Sequence, residues 1–307
     1  MAISTPRSNS TAKIGVIIPT RNRARSLPAA LDSVLQQTWR DLEVLVVDDA
    51  STDDTAALMD AVSDPRVRYL RLAHPHGAGG ARNAGLKELH NEWIAFQDSD
   101  DQWRPDKLEK QMAAVAENPQ AGFVYCRCRR TVDGSAYLFP PAGVTNGSGH
   151  IFDVLLGGNL ISTQTALVRR ACIDAHGLFD ESLPPLEDWE FFLRLSRHCE
   201  AAFVTEVLVE APFSADSISK RDSEFIASFQ AILDKYAADF AVRPNLRARH
   251  LGTLADRLCL AGRWDEGRTH YARAWRCHPR HVGHALGWAL AAWPRAYRRV
   301  RAWRGRR

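Results

Sequence analysis

Carboxylates, glycines and arginines gather into four groups whose spacing could support chemistry. Asp98-Ser99-Asp100-Asp101 sets two carboxylates one residue apart. On an extended backbone Asp98 and Asp100 point the same way. Together they make a hard-oxygen site for Mg2+ or Mn2+, ions that take one or two carboxylates plus substrate phosphates. The plain alternative is a solvated acidic turn. Gly77-Ala78-Gly79-Gly80-Ala81-Arg82-Asn83-Ala84-Gly85 fails as a dinucleotide fingerprint, because Arg82 stands where a third glycine is required. It is not a P-loop either. Glycines opening a helix, with Arg82 in the first turns, suit a diphosphate, on which backbone N–H groups and a guanidinium converge. The alternative is a glycine-rich turn whose arginine pairs with a neighbouring carboxylate. Asp48-Asp49-Ala50-Ser51 offers caps for the following turn, or a carboxylate for the imide N–H of uracil or thymine. Glu187-Asp188 offers a charge pair at a helix N-terminus, or a general base.

The elements between these groups explain how they could meet. Lys13–Pro19, Leu42–Asp49, Val67–Leu72, Glu92–Asp98 and Gly122–Cys126 are short apolar runs, the pattern of buried strands. Helical spacing fills Ser26–Thr38, Thr52–Val62, Ala78–Leu89 and Pro105–Glu117 between them, with Ser26 as N-cap and Pro28 in the first turn. This alternation predicts an α/β fold with a mostly parallel sheet covered by helices on both faces. In such sheets ligands sit beyond the carboxyl ends of the strands. The first three groups lie at that edge. They describe a nucleoside-diphosphate-sugar site, with the base at Asp49, the ribose near Asp98, the diphosphate on a metal at Asp100 and a carboxylate on the acceptor side.

The alternation stops near residue 130. Leu138–Gly149 is loop chemistry, and residues 150–210 read as a helix, a strand (Thr163–Val168), a second helix (Trp189–Arg197) and a strand (Ala202–Leu208). Beyond Ser219 only helical patterns remain. The expected division is a disordered leader at 1–12, a catalytic domain at 13–215 and an all-α region at 216–307. The 307 residues are 45% hydrophobic and 25% charged, the mix of a globular chain with a substantial core. The longest nearly apolar run, Val282–Trp293, has twelve residues, and a spanning helix needs about 20. The six cysteines form no C-x-x-C pair and the leader lacks an apolar core, so a cytoplasmic location with reduced thiols is expected.

Net charge is +4, unevenly spread. From Arg243 onward stand 16 basic and 3 acidic residues, against 24 and 33 in residues 1–242. A basic part of this kind meets something anionic. Leu254, Leu258, Gly262, Gly267, Tyr271, Ala274 and Pro279 resemble one tetratricopeptide unit, but a solenoid needs about three. Over 282–307, Val282, Leu286, Ala289, Leu290, Trp293, Tyr297 and Val300 fall near one helical face, and Arg295, Arg298 and Arg299 opposite. Pro294 kinks this helix or starts a second one. Such a helix either lies on the inner face of a membrane or docks on the fold with a frayed arginine tail. Nucleic acid is not expected as a partner, since no recognised binding motif accompanies the charge.

The motifs also resemble a known family, in order and at its usual spacing. Pro19-Thr20-Arg21-Asn22-Arg23, Val47-Asp48-Asp49-Ala50-Ser51-Thr52-Asp53, Gly80-Ala81-Arg82-Asn83-Ala84-Gly85, Asp98-Ser99-Asp100-Asp101 and Glu187-Asp188-Trp189-Glu190 are similar to those of family-2 glycosyltransferases with the GT-A fold, over residues 13–210. The resemblance implies that Pro19, Thr20, Arg21 and Arg23 line the nucleotide pocket and that Asp49, beside Asp48, contacts the base. It puts Gly80, Arg82, Asn83 and Ser99 along the donor. It gives Asp98 to the ribose or metal, Asp100 to the metal (Mg2+ or Mn2+), and Asp188, beside Glu187, to base catalysis with inversion. Gln97 stands where members often have leucine or another apolar residue. The Q-x-x-R-W signature of processive synthases is absent, which favours adding one sugar or a few. The implied partners are a nucleoside-diphosphate sugar, with a UDP-sugar first, and a carbohydrate, lipid-linked or protein acceptor in surface polysaccharide, glycolipid or glycoprotein assembly. A sugar nucleotidyltransferase shares a similar fold, but its basic glycine-rich N-terminal loop is missing. An inactive scaffold that binds through the C-terminal helices is the non-enzyme alternative.

Overall fold

The computed structural model describes residues 12–132, 134–212 and 222–304, with side chains to 301. The expected leader, up to residue 11, lies outside the described residues. The described parts of Met1–Glu181 and Glu187–Ala215 form one compact unit, and those of Ser182–Leu186 and Asp216–Arg307 a second.

In the first unit β1 (Ile14–Thr20), α1 (Leu27–Leu35), β2 (Leu42–Asp48), α2 (Thr55–Asp60), β3 (Val67–Arg71), α3 (Gly77–Glu88) and β4 (Trp93–Phe96) alternate. Then come β5 (Gln102–Trp103), α4 (Lys107–Glu117), β6 (Ala121–Val132), β7 (Ser135–Phe139), α5 (Phe152–Leu156), β8 (Ala166–Arg169), α6 (Arg170–His176), α7 (Glu187–Ser196) and β9 (Glu200–Pro212). The sheet order is β3-β2-β1-β4-β8-β6-β9-β5, with β7 added on β6. β3, β2, β1 and β4 run parallel. β8 enters antiparallel between β4 and β6, where the sequence alternation ends. β6 and β9 are again parallel. Two strands were not expected: β5 is only two residues long, and β7 begins ahead of the stretch read as loop. Each is held by antiparallel pairing to a long neighbour.

Every residue of β1 is buried, as the continuous apolar run requires of a strand covered on both faces. Aromatic packing ties α7 to the sheet. Phe96 of β4 meets Phe179 edge-on at 5.3 Å, and Phe179 stacks on Phe191 of α7 at 4.0 Å. Pairs of this kind contribute about 0.5–1.5 kcal/mol beyond their burial. The Trp189 indole also donates to the Leu155 carbonyl at 2.8 Å. Helix α7 is therefore fixed at its N-terminal end.

The second unit is helical: α8 (Asp222–Lys235), α9 (Ala237–Ala241), α10 (Pro244–Leu260), α11 (Trp264–Cys277), α12 (Val282–Leu290) and α13 (Pro294–Arg304). The repeat-like residues form the α10–α11 hairpin, in which Gly267 lets α11 approach Cys259 closely. Asp256 accepts hydrogen bonds from Tyr271, Tyr297 and Arg301, joining α10, α11 and α13. Of the two readings of Pro294, the second holds: α12 ends at Leu290 and Pro294 starts a second helix. The apolar face expected over 282–307 divides too. Tyr297 is buried in the small core with Ala255, Cys259 and Ala291, while Val282, Leu286 and Trp293 stay exposed.

Lys107 is fully buried at the start of α4. Its ammonium lies 3.8 Å from the Trp103 ring centre and donates to Gln111 at 2.8 Å. Burial pushes its pKa down to about 8, below the unfolded value of about 10.4. Between those values the unfolded chain binds the extra proton, so wild-type stability rises with pH there. Urea unfolding is expected to show wild type gaining up to about 3 kcal/mol relative to Lys107→Met as pH rises across this window.

Candidate active site

The parallel strands deliver their carboxyl ends to one edge, and the site is built there. Thr20 and Asp48 are register partners at the ends of β1 and β2. The loops that follow are laced together. Asn22 donates its backbone N–H to the Ser51 hydroxyl at 2.9 Å and accepts from the Thr52 N–H at 2.8 Å. Ala24 N–H donates to Asp53 at 3.0 Å. Asn22 and Ala50 hold φ of 53° and 58°, a region other non-glycine residues seldom visit and one that clusters at functional sites.

The two aspartates after β2 have separate positions. Asp48 is fully buried and accepts from the Tyr69 hydroxyl at 2.6 Å and the Ser51 N–H at 2.8 Å. Burial, with this carboxylate beside it, pushes the Tyr69 hydroxyl pKa up. Asp49 accepts from the backbone N–H groups of His76 and Gly77 at 2.6 and 2.9 Å. It thus caps α3 from a distant strand end. Gly77 has φ +76°, which only glycine adopts readily.

The helix α3 then turns Arg82 inward. Its guanidinium is 5% exposed and donates to Asp98 at 2.8 Å and to Glu187 at 3.1 Å. Of the two sequence readings, the pairing with neighbouring carboxylates is therefore present. Asn83 is likewise engaged within the protein. Its amide donates to the Phe179 carbonyl and Glu181 and accepts from the Phe179 N–H, all within 2.9 Å. Gly80 leaves room for His76 and Glu181, which a Cβ would meet at 2.5 and 3.1 Å.

Asp98 and Asp100 do not sit on extended backbone as expected. The chain leaves β4 at Phe96 and turns, with Asp101 N–H donating to the Asp98 carbonyl at 3.1 Å. Asp100 meets Arg23 at 3.4 Å, Ser99 is buried in the turn, and Arg21 is exposed. Pro19 is buried within β1. Asp101 is buried and accepts from Gln164 at 2.7 Å. Burial, and then Asp98 and Asp100, push its carboxyl well above the usual range. Asp98 and Asp100 themselves face the guanidinium groups of Arg82 and Arg23. Asp98 and Asp100 provide hard oxygens that fit Mg2+ or Mn2+. Among the described residues no three acidic, cysteine or histidine side chains form a ready metal cage.

Glu187 and Asp188 open α7. Burial, and then the Glu187 charge, push the Asp188 carboxyl up to about 7, the value suited to a base near neutral pH. Several buried polar atoms at this edge have no protein partner: Thr20 Oγ1, Arg82 Nε, Gln97 Oε1 and Glu187 Oε2. Buried unsatisfied atoms are rare in native folds, and here four share one strand edge.

The description "Glycosyl transferase family 2" matches residues 15–169, just over half of the chain. The chain belongs to glycosyl transferase family 2. The match takes in the first three groups and stops before Glu187-Asp188, which the Arg82 bridge brings to the same place. An Escherichia coli relative, the UDP-Glc:alpha-D-GlcNAc-diphosphoundecaprenol beta-1,3-glucosyltransferase WfgD, is 39% identical over 112 residues, 36% of this chain and 44% of its own. This family-2 chain spans between 18% and 64% of the length of seven further curated relatives. Among solved structures, S. aureus TarS 1–349 in complex with UDP-GlcNAc superposes with TM-score 0.68 at 19% identity, covering 93% of this chain and 89% of that one. The mannosyltransferase PcManGT of Pyrobaculum calidifontis, in complex with GDP-Man and Mn2+, gives 0.60 at 19%, covering 95% and 83%. Both show the GT-A fold.

Sequence reasoning missed several residues at the site. Asn22 was read only as part of a motif, although its positive φ and its bonds to Ser51 and Thr52 join two loops. Arg130 of β6 donates to Ser162, stacks on Phe139 at 4.1 Å and faces Asp101 and Asp188. Among the arginines 127, 129 and 130 of one strand, nothing local marks Arg130 for this. Glu181 and Gln164 were invisible for the same reason.

Replacing Arg82 by methionine would strand Asp98 and Glu187 without their shared cation. Urea unfolding of Arg82→Met is expected to show a loss of about 3 kcal/mol, the lower end for a broken buried pair because Asp98 is partly solvated.

Proposed function

We propose that this family-2 chain is an inverting, metal-dependent glycosyltransferase. It moves one sugar at a time from a nucleoside-diphosphate sugar to an acceptor hydroxyl. One observation carries the reading. Arg82 joins Asp98, at the end of β4, to Glu187, beside Asp188 at the start of α7. The carboxylates assigned here to the donor and acceptor sides are therefore held by one guanidinium.

In this reading Pro19, Thr20, Arg21 and Arg23 flank the nucleotide, and Asp49, next to buried Asp48, accepts from the base with the carboxylate lone pairs that the His76 and Gly77 N–H groups leave open. Gly80, Arg82, Asn83 and Ser99 shape the diphosphate side, Arg82 and Asn83 by holding neighbouring elements. Asp98 and Asp100 would hold Mg2+ or Mn2+, which when bound neutralises charge on the departing diphosphate. Asp188 takes the acceptor hydroxyl's proton as its oxygen attacks the anomeric carbon. The carbon–oxygen bond to the diphosphate breaks, and the nucleoside diphosphate leaves with the bonding pair. Attack from the opposite face inverts the configuration.

The named ligands of TarS and PcManGT support a UDP-sugar as the first donor to test and GDP-sugars as the second. The name of WfgD supports a lipid-linked acceptor ahead of a free carbohydrate or a protein. The process would be assembly of a surface polysaccharide, glycolipid or glycoprotein.

Asp188→Asn is expected to lower kcat by about 10²–10⁴-fold, the usual worth of a positioned base, while the donor Kd from calorimetry stays unchanged. In wild type, protonation of Asp188 should make kcat/KM fall below about pH 7, approaching tenfold per pH unit. A donor screen by thermal shift should show a Mn2+-dependent rise in Tm for one nucleotide sugar, lost in Asp100→Ala. Undiminished turnover in both variants would exclude the assignment.

A further inference from the structure

Sugar transfer leaves one feature of the helical unit unexplained. Between α11 and α12 lies a groove of about 390 Å³, lined by Arg268, Arg273, Arg276, Thr269, Asp265 and Trp288 among others. All three arginines stand on α11 and line the groove. None has a carboxylate partner among the described contacts, whereas Arg263 on the same hairpin pairs with Glu266 at 2.6 Å. Arg268 Nε is buried without any hydrogen-bond partner. The Arg268 guanidinium lies 4.9 Å from the centre of the Trp288 ring, which holds it in the groove. Asp265 is the single carboxylate of the lining against three guanidinium groups. Such an arrangement fits a phosphate, which takes two parallel N–H donors from each arginine.

The surroundings decide what carries that phosphate. Among the described residues, seven of the nine exposed large hydrophobics belong to the helical unit. Five of them, Trp275, Val282, Leu286, Trp288 and Trp293, lie on α11, on α12 or in the turn after it. A soluble phosphate explains the arginines but not these side chains. Tryptophan beside arginine on exposed helices is the composition of a membrane-surface element. No helix here is long and apolar enough to cross a membrane.

We propose that the α11–α12 groove binds the phosphate headgroup of an anionic lipid and seats the helical unit on a membrane surface. This shifts the contact expected over 282–307 toward α11, and it leaves buried Tyr297 in its core. The contact does not depend on transfer activity.

Vesicle sedimentation of the full chain, without donor or acceptor, tests it at about 0.15 M salt, where diffuse attraction is screened beyond about 8 Å. The wild type should pellet with phosphatidylcholine vesicles containing phosphatidylglycerol and not with phosphatidylcholine alone. The triple variant Arg268→Ala, Arg273→Ala, Arg276→Ala should bind about a hundredfold more weakly, at roughly fivefold per arginine. A control with equal charge loss, Arg280→Ala, Arg295→Ala, Arg299→Ala, should lose less than about fivefold. Trp288→Ser keeps every charge and should also weaken binding, and circular dichroism verifies folding of each variant. Equal losses in the two triple variants would reduce the effect to diffuse charge and overturn the groove. Binding to neutral vesicles, or to none, would overturn the anionic-lipid assignment. Complete displacement by glycerol 3-phosphate, at matched ionic strength, would make the ligand a soluble phosphate and overturn the lipid.

Discussion

A buried arginine cannot stand alone, and Arg82 sets the terms for the rest of the active edge. Withdrawing a guanidinium from water costs several kcal/mol unless opposite charge and hydrogen bonds face it. Asp98 and Glu187 supply both. They come from places 89 residues apart in sequence, so satisfying one cation fixes the turn after β4 against the first turn of α7. Asp188 is affected as well. Arg82 hydrogen-bonds Glu187 rather than Asp188, and burial beside the Glu187 charge keeps the Asp188 carboxyl near neutral pKa.

The same economy governs the loops around it. Asp49 spends its oxygens on the backbone of α3, Asn83 secures Phe179 and Glu181, and Asn22 ties two loops together. Each is polar, each sits near the proposed donor edge, and each holds backbone. What stays unpaired is a small set that includes Thr20 Oγ1, Arg82 Nε and Glu187 Oε2. Positioning and recognition are thus divided between neighbouring side chains.

Charge divides the chain in a corresponding way. Residues 1–242 carry an acidic excess and the remainder a strong basic one. In the first unit, the proposed function gives a cation to Asp98 and Asp100 after β4 and an acceptor proton to Asp188 at the start of α7. In the second, a network around Asp256 satisfies some basic side chains internally, as at Arg301, while Arg268, Arg273 and Arg276 have no carboxylate partner among the described contacts. Tyr297 and Trp293 lie four residues apart, yet one is core and the other surface.

Much of this was legible in the residues themselves. Short apolar runs alternating with helical spacing specify a parallel sheet, because only strands covered on both faces are apolar throughout. That places Asp48, Asp49 and Asp98 at one edge, and motif order carries the family. The antiparallel β8, the short β5 and the β6–β7 hairpin were less legible, since their pairing comes from distant partners rather than local periodicity. The sequence by itself determined which chemical groups the protein possesses and at which sheet edge most of them emerge. Only the tertiary structure decided which remain available: that Arg82 bridges two carboxylates, that Asn83 holds backbone, that Asp98 and Asp100 share a turn, and that Pro294 separates a docked Tyr297 from an exposed Trp293. The reason is that hydrogen-bond partners and burial depend on contacts between distant segments, which no local spacing encodes.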